Sequence, residues 1–180
     1  YAGNATCAPS RASLLTGRYP TRYGFEFTPA PASLMSLVAT FDSHREQLHP
    51  GYFLEENLSD FPPFEDQGVP TTEILLPEIL ASKDYHSILL GKWHLGESEG
   101  YTPNDRGFDE FLGFLAGGAM FAEYDDPAMI KSIQEFDGID QFLWPNLTFA
   151  VRYNKEQRFK PDEYMTCLLY TSDAADDKCS

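Results

Sequence analysis

Between residues 77 and 91 the chain spells out a helix, a turn and a strand in close succession. Pro77 opens a short helical segment over 77–83, at a position where its missing N–H costs nothing. Asp84 and Tyr85 turn the chain, and the apolar run 87–90 reads as a short buried strand that ends at Gly91. No other feature limits the fold so sharply. A strand fed by a helix through so short a turn belongs to an α/β architecture with a mostly parallel sheet flanked by helices. That is the expected fold class.

The rest of the chain fits around this unit. Residues 7–17 read as a second short helix, with Pro9 in its first turn and Gly17 as its stop. A further helix is expected near 33–41, inside a Pro- and Phe-rich stretch (28–70) that otherwise reads as loop. Phe108, Phe111, Leu112 and Phe114 are expected core or strand positions. From 125 to 166 the pattern weakens, and no element is assigned there.

Charge narrows the function. With 13 Lys+Arg against 28 Asp+Glu the net charge is −15, which repels phosphate backbones and anionic lipid, so no nucleic-acid partner is expected. The longest uncharged apolar-leaning run, 111–122, is interrupted by three glycines and falls short of the about 18 residues that a membrane span needs. Cysteines at 7, 167 and 179 form no CxxC pair and no disulfide framework.

Against this acidic background, Arg11, Arg18 and Arg22 gather just after Cys7. A cysteine at a helix N-terminus faces unpaired backbone N–H groups and the positive end of the dipole, which stabilise a thiolate or a bound oxyanion. The three cations point to an anionic substrate. The spacing is not the phosphatase pattern of Cys followed six positions later by Arg, because position 13 is Ser. A second cluster, Gly91-Lys92-Trp93-His94-Leu95-Gly96, follows the 87–90 strand directly. Ligands of open α/β sheets bind beyond the carboxyl ends of strands, where this hexapeptide falls. If the backbone stays extended, Lys92 and His94 project to one side and Trp93 and Leu95 to the other. A Lys–His pair there can bind an anion and move a proton near neutral pH.

Cys7-x-Pro9-Ser10-Arg11-x-x-x-Leu15-Thr16-Gly17-Arg18 resembles the first signature of the type I, formylglycine-dependent sulfatases. Eight fixed positions at about one in twenty each make a chance match on the order of one in ten billion per starting point. The hexapeptide 91–96 is similar to the second sulfatase signature. The segment from Leu75 to His94 resembles the arylsulfatase helix–turn–strand, with Asp84 in place of the usual turn glycine; Asp tolerates the left-handed conformation better than most residues. Arg106-Gly107-Phe108-Asp109 resembles the next block of the family and is expected to pack structurally, with Arg106 in an ion pair. The resemblance covers most of 1–115 and thins afterwards.

The resemblance implies the alkaline-phosphatase-like α/β fold and a sulfuric ester hydrolase acting on an aryl or carbohydrate sulfate. Cys7 would be converted to formylglycine (3-oxoalanine) by a formylglycine-generating enzyme, whose recognition pattern is Cys-x-Pro-x-Arg. The hydrated aldehyde would attack sulfur with one hydroxyl and eliminate sulfate through the second, splitting one hard step into two. Arg11 would hold the formylglycine, Lys92 would contact the sulfate, and His94 would assist the elimination. A calcium ion would be bound by the Cys7-derived oxygen together with Asp–Asp and Asp–Asn or Asp–Gln pairs, expected upstream of Tyr1 and downstream of Thr166. The 180-residue chain alone is therefore expected to bind calcium weakly and to be inactive. A periplasmic, secreted or lysosomal setting is expected from the family only.

The expected organisation is a partial N-terminal sulfatase catalytic domain over 1–166. Residues 167–180 resemble the translated end of a sequencing adapter, and are expected to stand outside the native fold. Their three Asp and one Lys leave the remainder at −13 and Cys7 as its sole cysteine. Two rivals stay open. One is a phosphonate or phosphodiester hydrolase of the same superfamily; the other is a non-catalytic, truncated sulfatase-like protein. Smaller signals are the glycosylation triplets at Asn4, Asn57 and Asn146, and the pair His44 and His49, read as surface residues.

Overall fold

Strand β1 (Ile88–Lys92) runs parallel to β2 (Glu110–Phe114), pairing Ile88 with Glu110 and Lys92 with Phe114. The computed structural model describes residues 2–42, 62–127 and 147–176; Asn57, Asn146, His44 and His49 lie outside them. A short antiparallel strand, β3 (Arg152–Tyr153), completes the sheet on the far side of β2. The parallel pair flanked by helices is the expected fold class. The β1 strand begins at Ile88 and runs through Gly91, where its end is expected, to Lys92. Gly91 has φ 99°, and it faces Gly113 across the pair. A β-carbon on Gly113 would meet the Gly91 carbonyl oxygen at 1.9 Å. This pair of glycines therefore lets the two backbones close up where β1 turns toward the site.

Helix α1 (Cys7–Thr16) stops at Gly17, whose φ of 66° and N–H to Ser13 O bond (3.0 Å) make a left-handed cap. Its buried side is small: Ala8, Pro9 and Ala12. Small residues bring the helix axis close to the core of Phe25, Val69, Leu75, Trp93, Leu95, Phe111 and Leu115. Full burial of side chains the size of Trp93 or Phe111 stabilises by about 1.5–3 kcal/mol each. Helix α2 (Ala32–Asp42) covers the expected 33–41 segment. Helix α3 (Leu76–Ala81) begins one residue before Pro77, with the Glu78 carboxylate accepting the Leu75 N–H at 2.6 Å. Asp84 takes φ 60°, the left-handed conformation expected of it.

Helix α4 (Met165–Asp176) crosses position 167 without a break. Met165 is fully buried against Val151 and Ala119, and Leu168 and Leu169 pack partly on the same cluster. The 125–166 stretch, where no element is expected, thus holds β3 and the start of α4, since two strand residues and the first residues of a helix carry no long-range periodicity.

Arg106 is almost wholly buried. Its guanidinium donates to Glu78 Oε1 (3.1 Å), to the Val69 carbonyl (3.0 Å) and to the Glu73 carbonyl (2.7 Å). The expected ion pair is present, and it fastens the 103–106 turn to α3 and to the loop before it. Arg106→Met leaves a carboxylate and two carbonyls without their donor. It is expected to destabilise the full-length protein by about 3–5 kcal/mol, read as a lowered urea midpoint.

Candidate functional site

The site is assembled from two ends: the N-terminus of α1 and the carboxyl end of β1. Thr6 precedes α1 in extended conformation and makes no side-chain cap, so the first backbone N–H groups of the helix are left for other acceptors. Cys7 is the first helical residue and is exposed. Asn4 stays local, its side-chain Oδ1 accepting the Thr6 N–H at 3.2 Å.

Beyond β1 the ladder continues for two more residues. Trp93 N–H donates to Phe114 O (3.0 Å) and His94 N–H to Leu115 O (2.9 Å). The backbone then leaves the extended form: His94 has φ 62° and Gly96 φ 122°. The expected alternation of Lys92 and His94 against Trp93 and Leu95 therefore fails. Trp93, His94 and Leu95 are all buried, because the left-handed turn at His94 rotates the imidazole inward. Trp93 anchors the turn from below, its indole N–H donating to Tyr101 O at 2.9 Å.

This turn places His94 Nδ1 3.3 Å from Cys7 Sγ. Arg11, one helical turn beyond Cys7, donates from Nε to the Trp93 carbonyl (2.7 Å) and from its terminal nitrogen to the Lys92 carbonyl. One side chain thus ties the first motif to the second. Cys7, Arg11 and His94 are brought together directly, and Lys92 is held through its own backbone.

Arg18 and Arg22 do not join them. Arg18 is committed to Glu73, 2.5 Å from Oε2, and Arg22 is exposed at the end of a 3-10 turn (Pro20–Arg22). The cationic corner is therefore Arg11 and Lys92, not the triplet of arginines that the spacing suggested. Glu73 stands far from Arg18 in sequence, so no local pattern could show the pairing.

The electrostatics follow. Burial pushes His94 down from 6.5 to about 4; the charges of Lys92 and then Arg11 add to this, and a hydrogen bond with the Pro29 backbone opposes it. His94 is neutral at pH 7, able to accept or donate one proton. Since the unfolded chain takes that proton near pH 6.5 and the folded chain only near 4, this residue's contribution to stability is complete above pH 6.5. It is lost as pH falls from 6.5 toward 4. NMR titration of the imidazole in the unconverted full-length protein should give a midpoint near 4. A midpoint near 6.5, the unperturbed value, contradicts the burial.

Gly117 is a site residue that sequence reasoning missed. A β-carbon there would sit 2.7 Å from His94 Nε2, so glycine is what admits the ring. The Gly117-Gly118 doublet was the available signal. Among the described residues no three His, Cys, Asp or Glu side chains gather as a metal site. The described carboxylates therefore do not fit a calcium cage.

A thiol at a helix N-terminus, a neutral imidazole beside it, Arg11 on that helix and Lys92 at the end of a parallel strand form an arrangement that can handle an oxyanion. The sulfatase family model matches residues 1–159. N-acetylgalactosamine-6-sulfatase of Homo sapiens is 37% identical over 128 residues, covering 71% of this chain and 20% of that protein. Arylsulfatase G of Mus musculus is 34% identical over 113 residues, covering 63% of this chain and 15% of that protein. The structure of Ps i-CgsB in complex with k-i-k-neocarrahexaose superposes with a TM-score of 0.60 at 24% identity, over 99% of this chain and 32% of that one; it shares the fold. The chain belongs to the sulfatase family. It spans about a fifth of the length of the curated relatives it matches.

Proposed function

We propose that the full-length protein is a sulfuric ester hydrolase that cleaves a sulfate monoester with a nucleophile made from Cys7. The observation that carries this reading is the 3.3 Å approach of Cys7 Sγ to His94 Nδ1, held by Arg11 across the two motifs. In the converted protein an aldehyde oxygen stands where Sγ stands now, and its hydrate supplies the attacking oxygen. A thiol could not complete the cycle, having no second oxygen through which to release sulfate.

The chain's own residues then divide the work. Lys92, with a long cationic side chain at the end of β1, is placed to bind sulfate oxygens. His94, neutral at pH 7, takes and returns a proton at Nδ1. Arg11 is a positioning residue: its donors are engaged by the Lys92 and Trp93 carbonyls, and its charge stays fixed near position 7. A divalent cation such as calcium would draw one oxygen from residue 7 and the others from parts of the protein that this chain does not cover. A formylglycine-generating enzyme is the partner required for conversion. Substrates are a sulfated small molecule or glycan; the relatedness to N-acetylgalactosamine-6-sulfatase supports a sulfated sugar.

The test is to express the full-length protein with that enzyme and compare an aryl sulfate with a phosphodiester of the same leaving group. Preferential hydrolysis of the sulfate supports the reading. Preference for the phosphodiester would assign the protein to the phosphonate and phosphodiester branch of the superfamily.

A further inference from the structure

The loop that receives His94 has a second face. Leu115 accepts the His94 N–H, and Gly117 abuts the imidazole. Leu115 and Gly118, from the same loop, also line a small cavity closed on its other side by Arg152 and Arg158. The cavity holds about 30 Å³, room for roughly two waters or the oxygen end of a charged substituent, and too little for a sugar ring. The buried Arg152 Nε has no hydrogen-bond partner among the described residues. A buried guanidinium donor without a partner is costly, and it is relieved by an acceptor brought from outside.

Charge points the same way. Glu97, one residue after the second motif, is the acidic group that feels Arg158 and Arg152; burial raises its pKa and the two arginines pull it back. Among the described residues, that one carboxylate, even fully ionised, leaves the two guanidinium groups with a surplus of one positive charge. In a chain of net charge −15, such a surplus against the loop that also receives His94 is unusual. Arg is also the side chain whose fork best matches carboxylate and sulfate-like oxyanions.

We infer that Arg152 and Arg158 form a subsite for a second anionic group of the substrate, a sulfate or carboxylate on the sugar flanking the ester that is cleaved. This inference rests on the proposed sulfatase reading for its substrate, but its binding test stands apart from turnover. The subsite makes the enzyme selective for multiply charged glycans over singly sulfated aryl esters.

The experiment uses the full-length protein and two variants, Arg158→Gln, at an exposed position, and Arg152→Gln. Calorimetric binding of a disulfated disaccharide is measured first. Each substitution is expected to weaken it roughly tenfold or more, the loss typical of a hydrogen bond to a charged group. The ratio of kcat/KM for the disulfated sugar to that for an aryl sulfate should fall by a similar factor. Unchanged affinity in both variants overturns the subsite, whether or not turnover is seen. An unchanged specificity ratio with lowered activity on both substrates also overturns it, and assigns the arginines a structural role. Failure of the unsubstituted protein to hydrolyse either ester would count against the sulfatase reading alone, because the affinity comparison still decides the subsite.

Discussion

Cys7→Ala in the full-length protein is expected to reduce sulfate ester turnover by at least about 10³-fold, as loss of a covalent nucleophile does. The fold should survive, because Cys7 is exposed and its side chain supports no part of the core. The residues around it are held by other means: Arg11 by the Lys92 and Trp93 carbonyls, and His94 by the ladder to Leu115 and the opening at Gly117. A thermal midpoint within a degree or two of the parent would confirm that the loss is chemical. Cys7→Ser sharpens the point. A serine oxygen can attack sulfur and expel the alcohol, but it has no second hydroxyl through which sulfate can leave. The expected result is a protein that gains one sulfate per chain and stops, seen by intact mass spectrometry after incubation with substrate. Steady turnover by Cys7→Ser would rule out release through a second oxygen on residue 7.

The second large effect concerns the sheet. Gly113→Ala is expected to cost the full-length protein about 3 kcal/mol or more, a large share of the 5–15 kcal/mol that usually holds a domain. The new β-carbon would lie 1.9 Å from the Gly91 carbonyl oxygen, and the nearest atoms are all backbone. Backbone cannot rotate aside as a side chain can, so β1 and β2 must separate at the pair that aims Lys92 and His94. Gly17→Ala is the control. Nothing lies within 4 Å of a β-carbon there, and only the left-handed φ of 66° penalises it, at about 1–2 kcal/mol. Chemical denaturation of both variants should separate them by at least 1 kcal/mol. Equal midpoints would mean that the close approach at Gly91–Gly113 carries no weight.

Sequence reasoning reached the parts of this molecule that short-range physics dictates. Pro9 and Gly17 bracket α1, Asp84 takes the left-handed turn, and the apolar run before Gly91 forms the strand. The candidate residues Cys7, Arg11, Lys92 and His94 are legible as two motifs, each with its own chemistry. What joins them was not legible. The contact between Cys7 and His94 spans 87 positions, and that of Arg11 with the Trp93 carbonyl spans 82. The left-handed turn at His94, which breaks the expected alternation, is uncommon outside glycine, and no local pattern announces it. The pairing of Arg18 with Glu73 removed a cation from the site for the same reason: its partner arrives from a distant loop. Strand β3 and the start of α4 carry no sequence signal because their burial comes from one docked cluster around Met165 and Val151, not from a repeating pattern.

The most direct test of the account is the chemical state of residue 7. The full-length protein would be co-produced with the formylglycine-generating enzyme, its activity assayed, and the peptide containing Cys7 examined by mass spectrometry. An aldehyde in place of the thiol is expected, with activity rising in proportion to the converted fraction. An intact Cys7 thiol in a fully active protein would contradict it.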